Sequence, residues 1–431
     1  MWGIKTFAFV VTYLLVDIEA RTPLLSPIKL MELKYFGNDS VGEPLILTPL
    51  VEQNKIEKAR SAAKVVLDGD YKNDPLVLWL QGGPGSPSMF GLFYENGPFS
   101  VNGKGELELR NHSWHNNHSV IYIDNPVGTG FSFTNNGYAR NQTQIGKELY
   151  GALKQFYQIF PELKKNEFFI TGESYAGKYV PTLAHTIHKN NPTAAEKINL
   201  KGVAMGNPYI DPKLQVGYAE LLYQIGLVDK SKSLVIKDLE VKDVQFISEG
   251  KYNESNDVIS EIFNIFDNVT GGTSIFNFLQ DGSSDQEGME AFFNTSRARM
   301  ALHVGNTTFG DDQVYENLSE DNQKNDITPW FVEVVENYRV MLYTGQLDII
   351  VAYALTSNFL EHVNFKGVAE FQRSKRKVWY VDEDIAGYVK TFGNFSDVLV
   401  RNAGHMVPTD QPKHAEDLIY KFTRNLPLSS D

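Results

Sequence analysis

Short apolar runs alternate with amphipathic patterns along most of the chain. Leu76–Leu80, Val120–Asp124 and Phe168–Ile170 are continuously apolar or nearly so, which is typical of strands buried on both faces. Between the second and third runs, Thr143–Phe160 repeats apolar residues at helical spacing and is stopped by Pro161. Tyr175–Asn190 has the same helical character. This order of strands and helices predicts an α/β protein.

After an interruption, the later part of the chain again shows predicted strands and helices. Further strands are predicted at Leu200–Met205, Arg339–Tyr343 and Ser396–Arg401, with Lys377–Val381 and Tyr388–Phe392 as a hairpin. A closing helix is expected from about Pro412 to Arg424. We therefore expect a doubly wound, mostly parallel sheet.

The interruption begins at Asp211 and lasts to about Pro329. This stretch has a helical, acidic pattern and a Gly/Ser/Asp loop at Asp281–Gly288. We interpret it as a helical cap insertion above the sheet, and a separate helical domain is the alternative. The expected organisation is a signal peptide (1–20), a core in two parts (21–210 and 330–431) and the cap (211–329). Before the first strand of the core, the only predicted element is a helix at Glu52–Lys64.

The first twenty residues have the pattern of a secretory signal peptide. Lys5 precedes an apolar stretch from Phe7 to Val16, and Ala20 follows. The stretch is too short to span a bilayer, which needs about 20 residues; a buried N-terminal helix is the alternative. Ten N-x-S/T sequons support a glycosylated, secreted or lysosomal protein: Asn38, Asn111, Asn117, Asn141, Asn253, Asn268, Asn294, Asn306, Asn317 and Asn394.

Charge and cysteine content narrow the function classes. The 431 residues carry a formal net charge of −13 at pH 7, which argues against nucleic acid or anionic membranes as partners. Such a surface fits an acidic compartment, and equally a merely soluble acidic protein. The absence of cysteine excludes disulfides, thiol catalysis and thiolate metal sites. Composition does not predict an oligomeric state.

A serine lies between a predicted strand and a predicted helix in Gly172-Glu173-Ser174-Tyr175-Ala176-Gly177. This is the arrangement of the nucleophile elbow of an α/β-hydrolase, with alanine at the last position of the G-x-S-x-G pattern. A helix N-cap serine is the alternative. Asp348 and His405 follow Ser174 in the α/β-hydrolase order, each in a loop after a predicted strand. Parallel strands bring such loops to one edge of the sheet, so we expect a catalytic triad.

A second loop completes the expected hydrolase site. Gln81–Gly85 follows a predicted strand directly, and its glycines allow the backbone to approach a ligand closely. Backbone N–H groups of Gly83 and Tyr175 are the expected oxyanion-hole donors. The loop lacks the G-K-[ST] ending of a phosphate-binding loop.

Other polar residues suggest weaker alternatives. Ser132 is a rival nucleophile without a following helix start. His112, His115 and His118 have a spacing of three, which could indicate a metal site, but a solvated loop is the better interpretation. No metal or cofactor is expected.

Five segments resemble the serine carboxypeptidases, from about Glu43 to the C-terminus: W-L-Q-G-G-P-G, Y-I-D-N-P-V-G-T-G-F-S-F, T-G-E-S-Y-A-G-K-Y-V-P, T-G-Q-L-D and N-A-G-H-M-V-P-T-D-Q-P. The sequence is most similar to the vitellogenic carboxypeptidase-like and venom carboxypeptidase branch. The resemblance implies removal of single C-terminal residues from peptides or proteins with a free C-terminus. It also implies that Gln81, Glu95 and Glu173 bind the substrate carboxylate. Phe90, Tyr94 and Met406 would line the pocket of the departing residue, with core packing as the alternative.

The acid pair implied by the resemblance has a physical consequence. Two carboxyl groups beside a substrate carboxylate cannot all be ionised cheaply, so they must share protons, and recognition should strengthen below neutral pH. Alternatively, Glu95 and Glu173 only hold the elbow in place. Acyl transfer or ester hydrolysis at the same site, and a catalytically impaired binding protein, are the alternative functions.

Three features depart from the family pattern. Gln81 stands where many members have asparagine, although this branch often shows glutamine. The family's cysteines are missing, and Ser86 lies near one usual position. The aromatic-rich strand pair that usually precedes Leu76–Leu80 is also absent, which would leave a sheet edge exposed.

Overall fold

The structure is a computed structural model. It describes residues 5–6, 9–12, 73–134, 137–282, 287–302, 304–310, 313–324 and 327–429. Its centre is a nine-stranded sheet, in which six neighbouring strands run parallel and three edge strands are antiparallel. The order across the sheet is Lys377–Val381, Asp384–Phe392, Phe395–Val400, Arg339–Gly345, Leu200–Gly206, Phe168–Glu173, Leu76–Leu80, Ser119–Ile123 and Phe9–Thr12. This confirms the predicted α/β class and the mostly parallel sheet.

Alternate residues of the central strands enter two different cores. In Leu76–Leu80, the side chains of Leu76, Leu78 and Leu80 pack in one apolar cluster, whereas Val77 and Trp79 pack in another. Successive side chains of a strand point to opposite faces, so both faces of the sheet are covered. This double burial is why the central strands are continuously apolar in the sequence.

Helices pack on the sheet, and several more lie in the long segment between the strands Leu200–Gly206 and Arg339–Gly345. The longest helices outside the insertion are Gln142–Ile159, Ala176–Asn190 and Pro412–Thr423, within one residue of the predicted bounds. The other helices of the core are Ser88–Phe90, Thr328–Asn337, Tyr353–His362, Val368–Arg373 and Val407–Asp410, with a π-helical turn at Gly91–Glu95 and 3-10 turns at Trp114–Asn116 and Pro161–Lys165. Two short antiparallel ladders complete the described strands: the hairpin of Phe99–Val101 with Leu107–Leu109, and the pairing of Lys5–Thr6 with the distant Phe133–Thr134.

The described part of 211–329 is helical apart from one isolated bridge between Thr273 and Asp281. Its helices are Tyr218–Gln224, Lys230–Glu249, Tyr252–Thr270, Glu287–Phe293, Ser296–Leu302, Gln313–Asn317 and Ser319–Gln323, and Thr328–Asn337 begins at its end. Ile236, Ile262 and Phe266 share an apolar cluster with Ile349 and Leu355. The insertion therefore packs directly on the loop and helix that follow the strand Arg339–Gly345.

Two sequence interpretations need correction. His118, predicted to lie in a solvated loop, is buried, because its ring bonds the Trp114 carbonyl (2.9 Å) and the Thr423 hydroxyl (2.8 Å). The hairpin strand predicted from Tyr388 begins at Asp384.

The N-terminal residues bear on two further expectations. Phe9–Thr12 pairs antiparallel with Ser119–Ile123, at the edge that the missing strand pair was expected to leave open. These strand residues belong to the predicted signal segment, most of which lies outside the described residues, as does the helix-like Glu52–Lys64; both stay predictions. No described helix combines the length and the apolar character that crossing a membrane requires.

Candidate active site

Ser174 lies in a strained turn between the strand Phe168–Glu173 and the helix Ala176–Asn190. Its φ of 62° is in the left-handed region, which a non-glycine residue adopts only where the surroundings enforce it. Here the Ser174 carbonyl accepts from the amides of Gly177 (2.8 Å) and Tyr209 (2.9 Å). A Cβ on Gly172 would come within 2.7 Å of the Ala176 Cβ. The small residues of the motif are therefore needed for the sharp turn.

Asp348 and His405 are in direct contact. His405 Nδ1 lies 2.9 Å from Asp348 Oδ2, and both residues are buried. The Phe276 carbonyl accepts from the His405 backbone N–H at 2.6 Å and so anchors the histidine loop to the insertion. Asp348 and His405 follow adjacent parallel strands, Arg339–Gly345 and Phe395–Val400. The structure thus brings these two side chains to the edge of the sheet at which Ser174 lies.

Asn207 also contacts the Asp348 carboxylate, and sequence reasoning did not identify it. Its Nδ2 donates to Asp348 Oδ2 at 2.6 Å, while its Oδ1 accepts from the Gly345 amide at 3.2 Å. Asn207 is fully buried and has a φ of 41°. The available signal was its place directly after the strand Leu200–Gly206, at the same sheet edge as Ser174.

The loop after Leu76–Leu80 lies against the nucleophile turn. A Cβ on Gly82 would come within 2.6 Å of both the Tyr175 nitrogen and the Glu173 carbonyl oxygen. The next residue, Gly83, has a φ of 107°, which glycine adopts without strain. Only a chain without a side chain at 82 can approach the turn this closely, so the loop that carries Gly83 lies against the Tyr175 nitrogen.

Gln81 joins the two glutamates in one buried group. Its Nε2 donates to Glu95 Oε1 at 2.9 Å and to Glu173 Oε1 at 3.1 Å. Trp79 Nε1 donates to Gln81 Oε1 at 2.8 Å and thereby fixes which end of the amide faces the acids. The Oε2 atoms of both glutamates have no partner among the described residues. These two oxygens therefore keep unused hydrogen-bonding capacity within the buried group.

Burial dominates the protonation of this acid pair. It raises the pKa of Glu95, although the proximity of Glu173 and Gln81 and the charges of His405 and Arg110 act in the opposite direction. Burial also raises the pKa of Glu173 well above its ordinary value, and the neighbouring charge of Glu95 raises it further. Two carboxyls this close cannot both ionise cheaply. Protonation of at least one of the two is therefore favoured relative to an ordinary, exposed carboxyl.

The three expected pocket residues have different environments. Phe90 is buried and its ring centroid lies 4.7 Å from that of Tyr94, whereas Tyr94 and Met406 are only partly buried against the same apolar cluster. The Tyr94 carbonyl accepts from Thr409 Oγ1 at 3.1 Å. The turn that carries Glu95 thus contacts the segment that follows Met406.

Ser132 and the three histidines from His112 to His118, the alternative candidates, do not come together in a second site. Ser132 Oγ donates to the Asp124 carbonyl at 2.7 Å and is buried. His112 Nδ1 lies 2.7 Å from Glu416 Oε2, whereas His118 bonds Thr423. Within the described residues, no group of three or more His, Cys, Asp or Glu side chains could hold a metal ion.

Most sequon asparagines lie at the surface. Asn38 is outside the described residues, and Asn117 and Asn317 are half-buried. The remaining seven are exposed: Asn111, Asn141, Asn253, Asn268, Asn294, Asn306 and Asn394.

Comparison with known proteins identifies the family. A family profile described as serine carboxypeptidase matches residues 65–425. The chain is 41% identical to the venom serine carboxypeptidase of Apis mellifera over 430 residues, covering 90% of this chain and 92% of the relative. It is 40% identical to the probable serine carboxypeptidase CPVL of Homo sapiens over 426 residues, covering 88% and 90%.

A solved structure supports the same assignment. The crystal structure of Kex1(Δ)p, a prohormone-processing carboxypeptidase from Saccharomyces cerevisiae, is similar with a TM-score of 0.74 at 25% identity, covering 83% of this chain and 85% of that one. The predicted α/β-hydrolase fold is confirmed. The chain therefore belongs to the serine carboxypeptidase family.

Proposed function

We propose that this serine-type carboxypeptidase releases single C-terminal residues at acidic pH through an acyl-enzyme on Ser174. The observation that carries the proposal is the buried group of Gln81, Glu95 and Glu173, because Glu173 is the residue directly before Ser174. A site that binds a terminal carboxylate beside a nucleophile selects the last peptide bond of a chain. Peptides and proteins with a free C-terminus are therefore the proposed substrates.

The proposed chemistry follows the serine hydrolase scheme. Ser174 Oγ attacks the carbonyl carbon of the last peptide bond while His405 takes its proton, and Asp348 holds the imidazole through Nδ1. The Gly83 and Tyr175 amides stabilise the oxyanion; loss of one such donor typically lowers the rate by about a hundred- to a thousand-fold. His405 then protonates the departing amine. Water, deprotonated by His405, attacks the acyl carbon, and the proton returns to Ser174 as the shortened peptide leaves.

Recognition of the substrate carboxylate is proposed to depend on the protonated acid pair. A protonated carboxyl donates a hydrogen bond to the incoming carboxylate, whereas an ionised one repels it. Gln81 keeps the two acids together and is itself oriented by Trp79. Since both acids have raised pKa values, this form persists to higher pH than it would in an ordinary pair of exposed carboxyls. Phe90, Tyr94 and Met406 are the proposed lining for the departing side chain.

The remaining expectations are proposed in the same terms. The signal pattern of 1–20 and the exposed sequons support a glycosylated protein of the secretory route, secreted or lysosomal. We take 21–210 and 330–431 as the hydrolase core and 211–329 as its cap. The contact between the Phe276 carbonyl and the His405 amide supports a cap that reaches the active site.

A pH-resolved digest of a peptide library tests the proposal. Wild-type protein should release single C-terminal residues, fastest in acid, and Ser174→Ala should release none. Amidated peptides should be poor substrates, because they lack the carboxylate. Amidated and free-acid peptides cleaved at equal rates would overturn the recognition step, and alcohol acceptors consumed in preference to water would indicate acyl transfer instead. A folded protein without a burst of acylation at Ser174 would contradict catalysis.

A further inference from the structure

A buried polar group connects the insertion to the nucleophile turn. Tyr175 Oη donates to Asp321 Oδ2 at 2.5 Å, and Gln142 Nε2 donates to the same oxygen at 2.6 Å. Gln142 Nε2 also lies 3.3 Å from Tyr175 Oη. All three residues have 2% or less of their surface exposed. Tyr175 follows Ser174 directly, whereas Asp321 belongs to the insertion helix Ser319–Gln323.

Lys178 fixes the backbone of the same helix. Its ammonium group donates to the carbonyl oxygens of Asp321 (2.6 Å), Asn322 (3.0 Å) and Lys324 (2.6 Å). A helix leaves its last carbonyls without internal partners, and a cation at that end is favourable. Lys178 lies in the first turn of the helix that begins after Ser174, and it is fully buried. The segment after Ser174 therefore contacts the insertion helix in two ways: Lys178 binds the backbone carbonyls at its end, and Tyr175 binds the Asp321 carboxylate.

The two contacts differ in what they do for the reaction. The Lys178 contacts fix where the Ser319–Gln323 helix ends. The Asp321 contact fixes the side chain of Tyr175, and the backbone N–H of Tyr175 is a proposed oxyanion donor. The Tyr175 hydroxyl remains a donor at all working pH values, since burial raises its pKa well above the ordinary 10.0. Without Asp321, the Tyr175 hydroxyl and the Gln142 amide would lose the buried acceptor that they share.

We propose that Asp321 is a positioning residue that holds the Tyr175 side chain and so aims the Tyr175 backbone N–H into the oxyanion hole. On this account the insertion does more than cover the site: it completes the catalytic machinery. The inference rests on the proposed function, in which Tyr175 is an oxyanion donor. Asp321 itself touches neither the substrate nor the reacting atoms.

Three variants test the inference by steady-state kinetics on a free-acid peptide. Asp321→Ala removes the acceptor, Tyr175→Phe removes only the hydroxyl, and the third variant combines both. We expect kcat to fall about ten- to a hundred-fold in each, less than the loss of a whole oxyanion donor, with KM changed less than about threefold. Because both residues act through one contact, the double variant should lose no more than the larger single loss.

A second readout separates positioning from a general structural effect. A peptide boronate forms a tetrahedral adduct on the serine whose oxyanion needs the hole, so its affinity should fall in proportion to kcat. Asn256→Ala is the matched control, because Asn256 holds the same helix without contacting the nucleophile turn. Its Nδ2 bonds the Ser319 carbonyl (2.7 Å) and its Oδ1 accepts from Gln323 Nε2 (2.9 Å). We expect this variant to keep kcat and boronate affinity within about twofold.

Several results would overturn the inference. An unchanged kcat in Tyr175→Phe would do so even if Asp321→Ala failed to fold. A rise in KM without loss of kcat, or an equal kcat loss in Asn256→Ala, would reduce Asp321 to a structural anchor. Failure of the proposed function has a different signature, namely wild-type protein that releases no C-terminal residue.

Discussion

Glu95→Gln should weaken the proposed acid preference of the enzyme. Glu95 is fully buried, its Oε1 accepts from Gln81 Nε2, and its pKa is raised chiefly by burial. A carboxyl with a raised pKa is neutral at low pH and becomes charged as the pH rises through that value. In the wild type this charge would appear beside the substrate carboxylate. Glutamine has a similar shape, still accepts from Gln81, and stays neutral at every pH.

The size of the effect follows from electrostatics. Two unit charges about 4 Å apart repel by roughly 4 kcal/mol at an effective dielectric constant of 20, or roughly a thousand-fold in affinity. The wild-type kcat/KM for a free-acid peptide should therefore fall by about tenfold per pH unit above the pKa of Glu95. Glu95→Gln should show a smaller fall over the same pH range, because only Glu173 is left to ionise beside the substrate carboxylate. At pH 5 it should remain within about tenfold of the wild type, because an amide replaces a carboxyl donor.

The assay is kcat/KM against pH for one peptide as the free acid and as the C-terminal amide. The amide has no carboxylate to repel, so its slow cleavage should lack the fall that the free acid shows. Asp397→Asn is the matched control: Asp397 is a buried acid of the same sheet, with a pKa raised to about 6, that bonds Tyr353 instead of the acid pair. It should keep the wild-type pH profile. The reasoning fails if Glu95→Gln shows the wild-type fall, or if Asp397→Asn also loses it.

Three further variants or sites have defined expectations. In Asn207→Gly, glycine adopts the φ of 41° without strain, but the 2.6 Å hydrogen bond to Asp348 is lost. We therefore expect kcat to fall about tenfold with KM unchanged. An unchanged kcat would contradict a role for Asn207 in holding Asp348. Asp124 has a pKa raised by burial to about 7 from 3.8, so the wild type should lose about 2–3 kcal/mol of unfolding free energy from this group between pH 5 and 8. Urea titrations should show that Asp124→Asn lacks this loss, and an equal loss in both proteins would refute it. Peptide mapping should find more glycan on Asn111, which is exposed, than on Asn117, which is half-buried with its Nδ2 3.5 Å from Glu416 Oε1. Higher occupancy at Asn117 than at Asn111 would contradict these exposures.

The central strands and the nucleophile turn could be predicted because their signals are local. Leu76–Leu80 is apolar at every position since both of its faces are buried, and Ser174 is surrounded by the small residues that its turn requires. Segment order then placed Asp348 and His405 at one sheet edge, since parallel strands end together.

Contacts between distant segments had no such signal. Asn207 bonds Asp348 across 141 positions, and Asp321 bonds Tyr175 across 146, so no spacing rule relates them. His118 was misjudged for the same reason: its partner Thr423 lies 305 positions away, and the surrounding polar residues suggested solvent. Hydrogen bonds between side chains from distant segments can be identified only once the positions of the strands and helices are known.

The buried titratable groups also determine how the fold responds to pH. Among the described residues, burial raises the pKa of six nearly inaccessible carboxyls, with Asp124 at about 7, Asp243 and Asp397 at about 6, and Asp211, Glu95 and Glu173 also raised. A carboxyl whose folded pKa is raised stabilises the fold below its unfolded pKa, and that stability is lost as pH rises through the folded value. His118, with a pKa lowered by burial to about 3, acts in the opposite direction below its ordinary 6.5, and the partly exposed His185 and His414 do so less. Because the carboxyls outnumber the histidines, the fold should gain stability as pH falls from 7 to 5. The burial that is proposed to make recognition of the substrate carboxylate acid-dependent therefore also favours the folded protein in acid, which fits the proposed acidic working compartment.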